Sequence, residues 1–132
     1  MRISLSSILV DNQDKALEFY TNTLGFKKMA DIPMGDYRWL TVVSPEGVEG
    51  AEVVLEPIAF PPAQTYQKAL FDAGIPQTAF LTDDIQTEYQ RLKDKGVVFR
   101  SEPVAMGPII TVLFEDTCGN LINLVQPVQK PS

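Results

Sequence analysis

Histidine is absent from this chain of 132 residues. Without an imidazole there is no Ser-His-Asp triad, no Cys-His pair and no histidine ligand for a metal ion. Cysteine is nearly absent too: Cys118 is the only one in the sequence, so no disulfide can form within the chain. A lone cysteine favours a reducing compartment. Any chemistry must therefore rest on carboxylates, hydroxyls, tyrosines, lysines, the one thiol or backbone groups.

Long apolar runs and clusters of basic residues are also missing. No stretch approaches the roughly 18 apolar residues that a membrane helix needs, and the first residues lack the apolar core of a signal peptide. Lys and Arg number 11 against 17 Asp and Glu, which gives a net charge of −6. This charge would repel nucleic acid and an anionic membrane surface. We predict a cytoplasmic protein that partners neither nucleic acid nor membrane.

The chain does contain one pattern that occurs twice. Hydrophobic residues make up 45% of it and charged residues 21%, as in an ordinary globular domain. Strands are predicted over 3–10, 26–31, 38–44 and 51–57, and again over 77–82, 97–102, 109–115 and 121–126. Each first strand is followed by a helix, capped by Asp11 in one half and by Asp83 or Asp84 in the other. The order is β-α-β-β-β in both halves.

The connections complete the predicted organisation. Module one covers 1–58, a linker covers 59–75, and module two covers 76–128. The linker contains a short helix over 64–73, with inward residues Tyr66, Ala69, Leu70 and Ala73. We predict one α+β domain in which two βαβββ modules form curved mixed sheets around a cleft, a natural place for a small molecule.

Three motifs in this order resemble one family. Residues 10–20 followed by Leu24-Gly25-Phe26 look like the opening motif of the vicinal oxygen chelate superfamily, which includes glyoxalase I, bleomycin-resistance proteins and extradiol dioxygenases. Residues 83–85 with Gly96-Val97 resemble its second-module helix. Residues 116–124 resemble its last turn and strand, where Asp-Pro-Asp-Gly-Asn is commoner. The resemblance covers nearly the whole chain, but this fold hosts several chemistries.

The resemblance implies a divalent metal held by His and Glu side chains on four strands. In this sequence those positions fall near Leu5, near Val54 with Glu52 and Glu56 on the same face, near Gln77 and near Asn123. No shift of register supplies a histidine. Glu56 with two neutral amides would be a weak site for a hard cation. We therefore predict no metal and no other cofactor.

Five residues are predicted to contact a ligand in the cleft: Ser7, Trp39, Glu56, Gln77 and Asn123. Each has a plainer interpretation. The two amides would be satisfied by backbone or water, Glu56 would be a solvated carboxylate rather than a base or a partner for a cation, and Trp39 would be ordinary core rather than a pocket wall. Ser7 lacks a base that would make it a nucleophile, and no catalytic residue is identified.

Several functions remain open at this stage. The resemblance to the bleomycin-resistance branch implies a metal-free homodimer that binds a small organic molecule without chemistry. The alternative is a metal-dependent lyase or dioxygenase of the same superfamily. A metal-free enzyme with Glu56 as its base, or a structural dimer with a closed pocket, is also compatible with the residues. Whether the protein is an enzyme is left undecided.

Overall fold

The computed structural model describes residues 1–128. The first module consists of β1 (Leu5–Val10), α1 (Gln13–Glu18), a π-helical turn that continues α1 (Phe19–Thr23), β2 (Lys27–Met34), β3 (Tyr37–Val43) and β4 (Glu52–Pro57). Helix α2 (Pro61–Asp72) leads to the second module, which consists of β5 (Thr78–Leu81), α3 (Ile85–Asp94), β6 (Val104–Met106), β7 (Ile109–Glu115) and β8 (Leu121–Pro127). Within residues 1–128, no helix is long and apolar enough to cross a membrane.

Each module forms its own four-stranded mixed sheet. The strand orders are β1-β4-β3-β2 and β5-β8-β7-β6. The first strand of each module pairs in parallel with the last, and the remaining pairs are antiparallel. This repeated topology confirms the predicted α+β fold of two βαβββ modules.

The residue that caps the first helix of each module was predicted from the sequence, and the prediction holds in the second module and fails in the first. Of the two candidates for the α3 cap, Asp83 and Asp84, it is Asp84 that caps the helix, since its carboxylate accepts a hydrogen bond from the Thr87 N–H at 3.1 Å. Asn12, and not Asp11, caps α1 by accepting from the Lys15 N–H at 2.9 Å. Asp11 instead pairs with the Lys15 ammonium at 3.0 Å. Asx side chains at adjacent positions compete for the same cap, and the backbone decides which one is placed.

Two other predictions are wrong, the strand at 97–102 and the connection at 103–108. The segment 97–102 is not a named strand and has only an isolated bridge between Phe99 and Phe114. The strand lies later, at β6, inside the predicted connection 103–108. Its position follows from the tight turn at Gly107, whose φ of 60° lets Met106 pair with Ile109.

The linker also differs from expectation. Helix α2 begins at Pro61 within the predicted break, because proline is well suited to the first helical turn. Its buried residue is Gln67, whereas Tyr66 is exposed. The Gln67 amide donates to the Leu9 carbonyl at 2.9 Å and to the Asn120 side-chain oxygen at 3.0 Å. A polar residue faces inward here because the backbone carbonyls of Leu9 and Cys118 lie against it and accept from its amide.

The two sheets share one apolar core. The first sheet contributes Ile8, Leu40 and Leu55, the second contributes Val112, Phe114 and Ile122, and Phe19 and Tyr20 belong to the same cluster. Since one face of each sheet enters this common core, their other faces point away from it. The predicted cleft between two sheets is therefore not closed within a single chain, and each sheet presents an open face.

A buried polar network joins the modules beside that core. The Tyr20 hydroxyl donates to the Asp116 carboxylate at 2.7 Å, and the Asn120 side chain donates to it at 2.8 Å. Burial raises the pKa of Asp116, although these hydrogen bonds oppose the rise. Burial and the nearby Asp116 carboxylate raise the pKa of Tyr20 well above its ordinary value. Tyr20 therefore remains a neutral donor that ties the π-helical turn after α1 to the β7–β8 turn.

Cys118 lies in this turn. Its side chain is fully buried. Burial raises the pKa of the thiol to about 12. The thiol is buried because the turn folds against the first module, where the Asp11 N–H donates to the Cys118 carbonyl at 3.3 Å.

Candidate functional site

The open face of the first sheet carries three of the five predicted ligand-binding residues. Side chains on a strand alternate between the two faces, and Leu40 and Leu55 enter the core. Their neighbours Trp39 and Glu56 therefore lie on the open face. The parallel register of β1 with β4 pairs Ser7 with Val54 and places Ser7 there as well.

Ser7 and Glu56 form a hydrogen-bonded pair on this face. The Ser7 hydroxyl donates to one carboxylate oxygen of Glu56 at 2.9 Å. Glu56 and Trp39 line a shallow cavity of about 290 Å³, together with Met34, Tyr37, Arg38, Val54 and Pro57. Trp39 is 36% exposed and Tyr37 is 46% exposed. The cavity therefore combines a carboxylate, two aromatic rings, a thioether and Arg38, whose guanidinium is paired with Asp14 and with Asp31.

A second hydroxyl–carboxylate pair lies on the same face. The Thr41 hydroxyl donates to Glu52 at 2.7 Å and accepts from the Ala30 N–H at 3.1 Å. Glu52 and Glu56 thus share a face with Val54, as the sequence predicted. Each carboxylate accepts from one hydroxyl at one of its oxygens, but only Glu56 lines the cavity beside Trp39. Glu56 is therefore the carboxylate better placed to meet a ligand.

The other two predicted residues lie on the second sheet. The register pairs Asn123 with Ala79 and Leu113, away from the core residues Ile122 and Phe114. The Asn123 side-chain oxygen accepts a hydrogen bond from the Thr111 hydroxyl. Gln77 lies just before β5, and its N–H donates to the Leu121 carbonyl at 2.8 Å. Gln77 and Asn123 are therefore neighbours of one another and belong to a different sheet from Ser7, Trp39 and Glu56.

The structure adds residues that the sequence analysis did not select. Met34 joins Tyr37 and Trp39 because the β2–β3 hairpin pairs Met34 with Tyr37 and Ile32 with Trp39. The turn at Gly35, with φ of 64°, was the available signal for this register. Thr111, the partner of Asn123, had no such signal because it lies on a different strand.

The donor set does not fit the metal that the resemblance implies. At the four corresponding places the chain has a half-exposed Leu5, a buried Val54, and the amides Gln77 and Asn123. Across residues 1–128, no three His, Cys, Asp or Glu side chains come together in a way that would hold a metal ion. A divalent metal needs several such ligands, so we derive no chemistry through one.

Comparison with known proteins places this arrangement in context. Residues 2–124 match the model of the Glyoxalase/Bleomycin resistance protein/Dioxygenase superfamily. The uncharacterized protein YurT of Bacillus subtilis (strain 168) is 54% identical over 126 residues, which cover 96% of this chain and 99% of that protein.

Solved structures show the same architecture. The crystal structure of UcmS2 has a TM-score of 0.81 and 30% identity, covering 95% of this chain and 97% of that chain. TnmS3, an antibiotic binding protein from Streptomyces sp. CB03234, has a TM-score of 0.74 and 31% identity, covering 96% of each chain.

Proposed function

The chain belongs to the Glyoxalase/Bleomycin resistance protein/Dioxygenase superfamily, and we propose that it binds a small organic molecule on its sheet faces without a metal ion. One observation carries this proposal. The Ser7–Glu56 pair lies beside the exposed rings of Trp39 and Tyr37 around one cavity.

The chemistry of the cavity indicates the class of ligand. Aromatic rings stack on planar ligands and attract cations through their faces. One oxygen of Glu56 accepts from Ser7, which leaves the other to accept from an amino or amidinium group. Because the protein is also acidic overall, we propose a planar aromatic molecule with a positive charge. Its binding requires neither a nucleophile nor a base.

A second copy of the chain would complete the site. The open face of the first sheet exposes Ile32, Met34 and Tyr37, and that of the second exposes Leu81 and Met106. Exposed apolar side chains on a sheet face are the kind of surface that a partner covers. In our proposal the first sheet of one protomer faces the second sheet of its partner, so that Gln77 and Asn123 lie across the ligand from Glu56. The proposed compartment of this homodimer is the cytoplasm.

The structural relatives support binding rather than catalysis. TnmS3 is described as an antibiotic binding protein, and it resembles this chain over nearly its whole length. The donor set described above supports the same choice, because a lyase or dioxygenase of this superfamily would need metal ligands that the chain lacks. Sequestration of a toxic small molecule is therefore the function that the site supports best.

The test combines metal analysis with ligand binding. Protein purified without chelator is analysed for bound metals and titrated with divalent cations in a thermal-shift assay. Planar aromatic cations are then titrated while the fluorescence of Trp39, the single tryptophan, is recorded. We expect no stoichiometric metal, quenching of Trp39, and loss of most of the affinity in Glu56→Gln. The control Glu102→Gln, an exposed carboxylate outside the cavity, should bind normally.

Three outcomes would count against the proposal. Stoichiometric metal, or a large saturable stabilisation by one cation, would favour the metal-dependent alternative. Equal affinity of Glu56→Gln and the parent would show that the cavity is not the site. A monomeric protein that binds at full affinity would remove the second copy from the site.

A further inference from the structure

A second cavity lies between the two modules, on the helix side of the sheets. It has a volume of about 250 Å³. Its apolar walls come from both modules: Leu24 and Phe26 from the first, and Phe80, Leu92, Phe114 and Leu124 from the second. It shares no residue with the cavity around Trp39 and Glu56. The two cavities are therefore separate sites.

Aromatic rings dominate the interior of this junction cavity. Phe26 and Phe80 meet edge to face with their ring centres 5.1 Å apart. Leu92 and Phe114 behind them are almost fully buried. A single aromatic ring placed against these side chains would make dispersion contacts that water does not make. The volume suits a ligand with one ring and a short side chain.

The rim of the cavity is negatively charged. Arg91 donates to the Thr23 and Leu24 carbonyls at 3.2 Å each and forms an ion pair with Glu88. Its charge is thus offset by Glu88 and held in place by the carbonyls. On the opposite rim is Glu46, an exposed carboxylate in the β3–β4 loop that takes part in none of the ion pairs found among residues 1–128.

We propose that this junction cavity is a second binding site, specific for a small organic monocation with a single aromatic ring. The ring lies among Phe26, Phe80 and Phe114, and the ammonium group points to Glu46 at the rim. The negative rim favours a cation over an anion of the same shape, while the apolar interior sets the size. Because both modules form the walls, an occupant packs against the first and the second module at once.

Three molecules of nearly equal shape test the charge preference. The cation 2-phenylethylamine, the neutral 2-phenylethanol and the anion phenylacetate are titrated at millimolar concentration into the full-length protein while methyl resonances are followed by NMR. We expect shifts at Leu92 and Leu124, with affinity in the order cation, neutral, anion. An exposed ion pair contributes up to about 1 kcal/mol, or a factor of about five. Glu46→Gln should therefore weaken 2-phenylethylamine about three- to fivefold and leave 2-phenylethanol unchanged.

Matched variants separate this site from its alternatives. Glu49→Gln removes a carboxylate from the same loop that does not line the cavity, and it should behave like the parent. Trp39→Ala should leave the Leu92 and Leu124 shifts intact even if it abolishes binding at the sheet face. Ser44→Phe, at an exposed rim position, should block entry of all three probes.

The contrary results are equally specific. Equal affinity for the three probes, or tighter binding of phenylacetate, would refute the proposed charge preference. Shifts at Val54, which lines the cavity on the sheet face, without shifts at Leu92 would place binding at the sheet face instead. An equal effect of Glu46→Gln and Glu49→Gln, or no binding of any probe, would overturn the proposal.

Discussion

Replacing Tyr20 by phenylalanine should destabilise this protein strongly, although it removes only one hydroxyl group. The Tyr20 side chain is fully buried, and its hydroxyl donates to Asp116 at 2.7 Å. A hydrogen bond to a charged group contributes about 1.5–3 kcal/mol. We therefore expect Tyr20→Phe to lower the free energy of unfolding by about 2 kcal/mol, which corresponds to a fall in Tm of about 8 °C for a domain of this length.

The loss should depend on pH in a definite direction. Burial raises the pKa of Asp116 in the folded state. A carboxyl group of this kind contributes its stability below its unfolded pKa of about 4, and that contribution is lost as pH rises through the folded pKa. The Tyr20 hydrogen bond acts to lower this pKa, so its removal raises the pKa further. The cost of Tyr20→Phe should therefore be larger at neutral pH than in mild acid.

The assay is urea unfolding of parent and variant at both pH values. Tyr66→Phe is the matched control, because the Tyr66 side chain is exposed and its loss of a hydroxyl should change stability by less than about 0.5 kcal/mol. A double-mutant cycle with Asp116→Asn measures the coupling directly. A cost below about 0.5 kcal/mol for Tyr20→Phe, or a cost that grows in acid, would refute the reasoning.

Other predictions follow from the same region. The buried thiol of Cys118, with its pKa raised to about 12, should resist alkylation at about pH 8 in the native protein and react fully in urea, as thiol counting will show. Gly119→Ala should destabilise by about 1–3 kcal/mol in urea unfolding, because φ is 96° and the new Cβ would lie 2.7 Å from Gln67 Oε1. The same measurement on Gly107→Ala, whose Cβ meets open space and whose φ is 60°, isolates the cost of the positive φ. Phe114→Ala removes a ring from the shared core and should cost about 3–5 kcal/mol by the same measurement; a cost below about 1 kcal/mol would contradict the shared core.

The sequence predicted those features that depend on neighbouring residues. In α3, Ile85 and Leu92 are seven positions apart, a spacing that puts them on one helix face, and both are buried. The cap of α3 was narrowed to Asp83 or Asp84, one of which caps the helix, because a cap needs only the backbone three residues ahead. Local rules failed where two neighbours compete, as at Asp11 and Asn12. They also failed at 97–102, whose partner Phe114 lies far along the chain.

In the candidate site, too, the sequence predicted the local features but not the contacts between distant residues. The composition alone ruled out imidazole ligands, and the alternation of β4 correctly placed Glu52 and Glu56 on one face. The sequence did not reveal that Ser7 donates to Glu56, since these residues are 49 positions apart and meet only through the parallel register of β1 with β4. Met34 joins Trp39 for a similar reason, through the hairpin register.

By itself, then, the sequence determined the order of the elements, the family resemblance and the absence of histidine chemistry. These follow from spacing and residue type, which do not depend on distant parts of the chain. Only the tertiary structure decided that both sheets share one core, that Cys118 is buried and that the predicted ligand-binding residues divide between two open faces. Each of these depends on which surface covers which, and that choice is made by the burial of apolar area across both modules together.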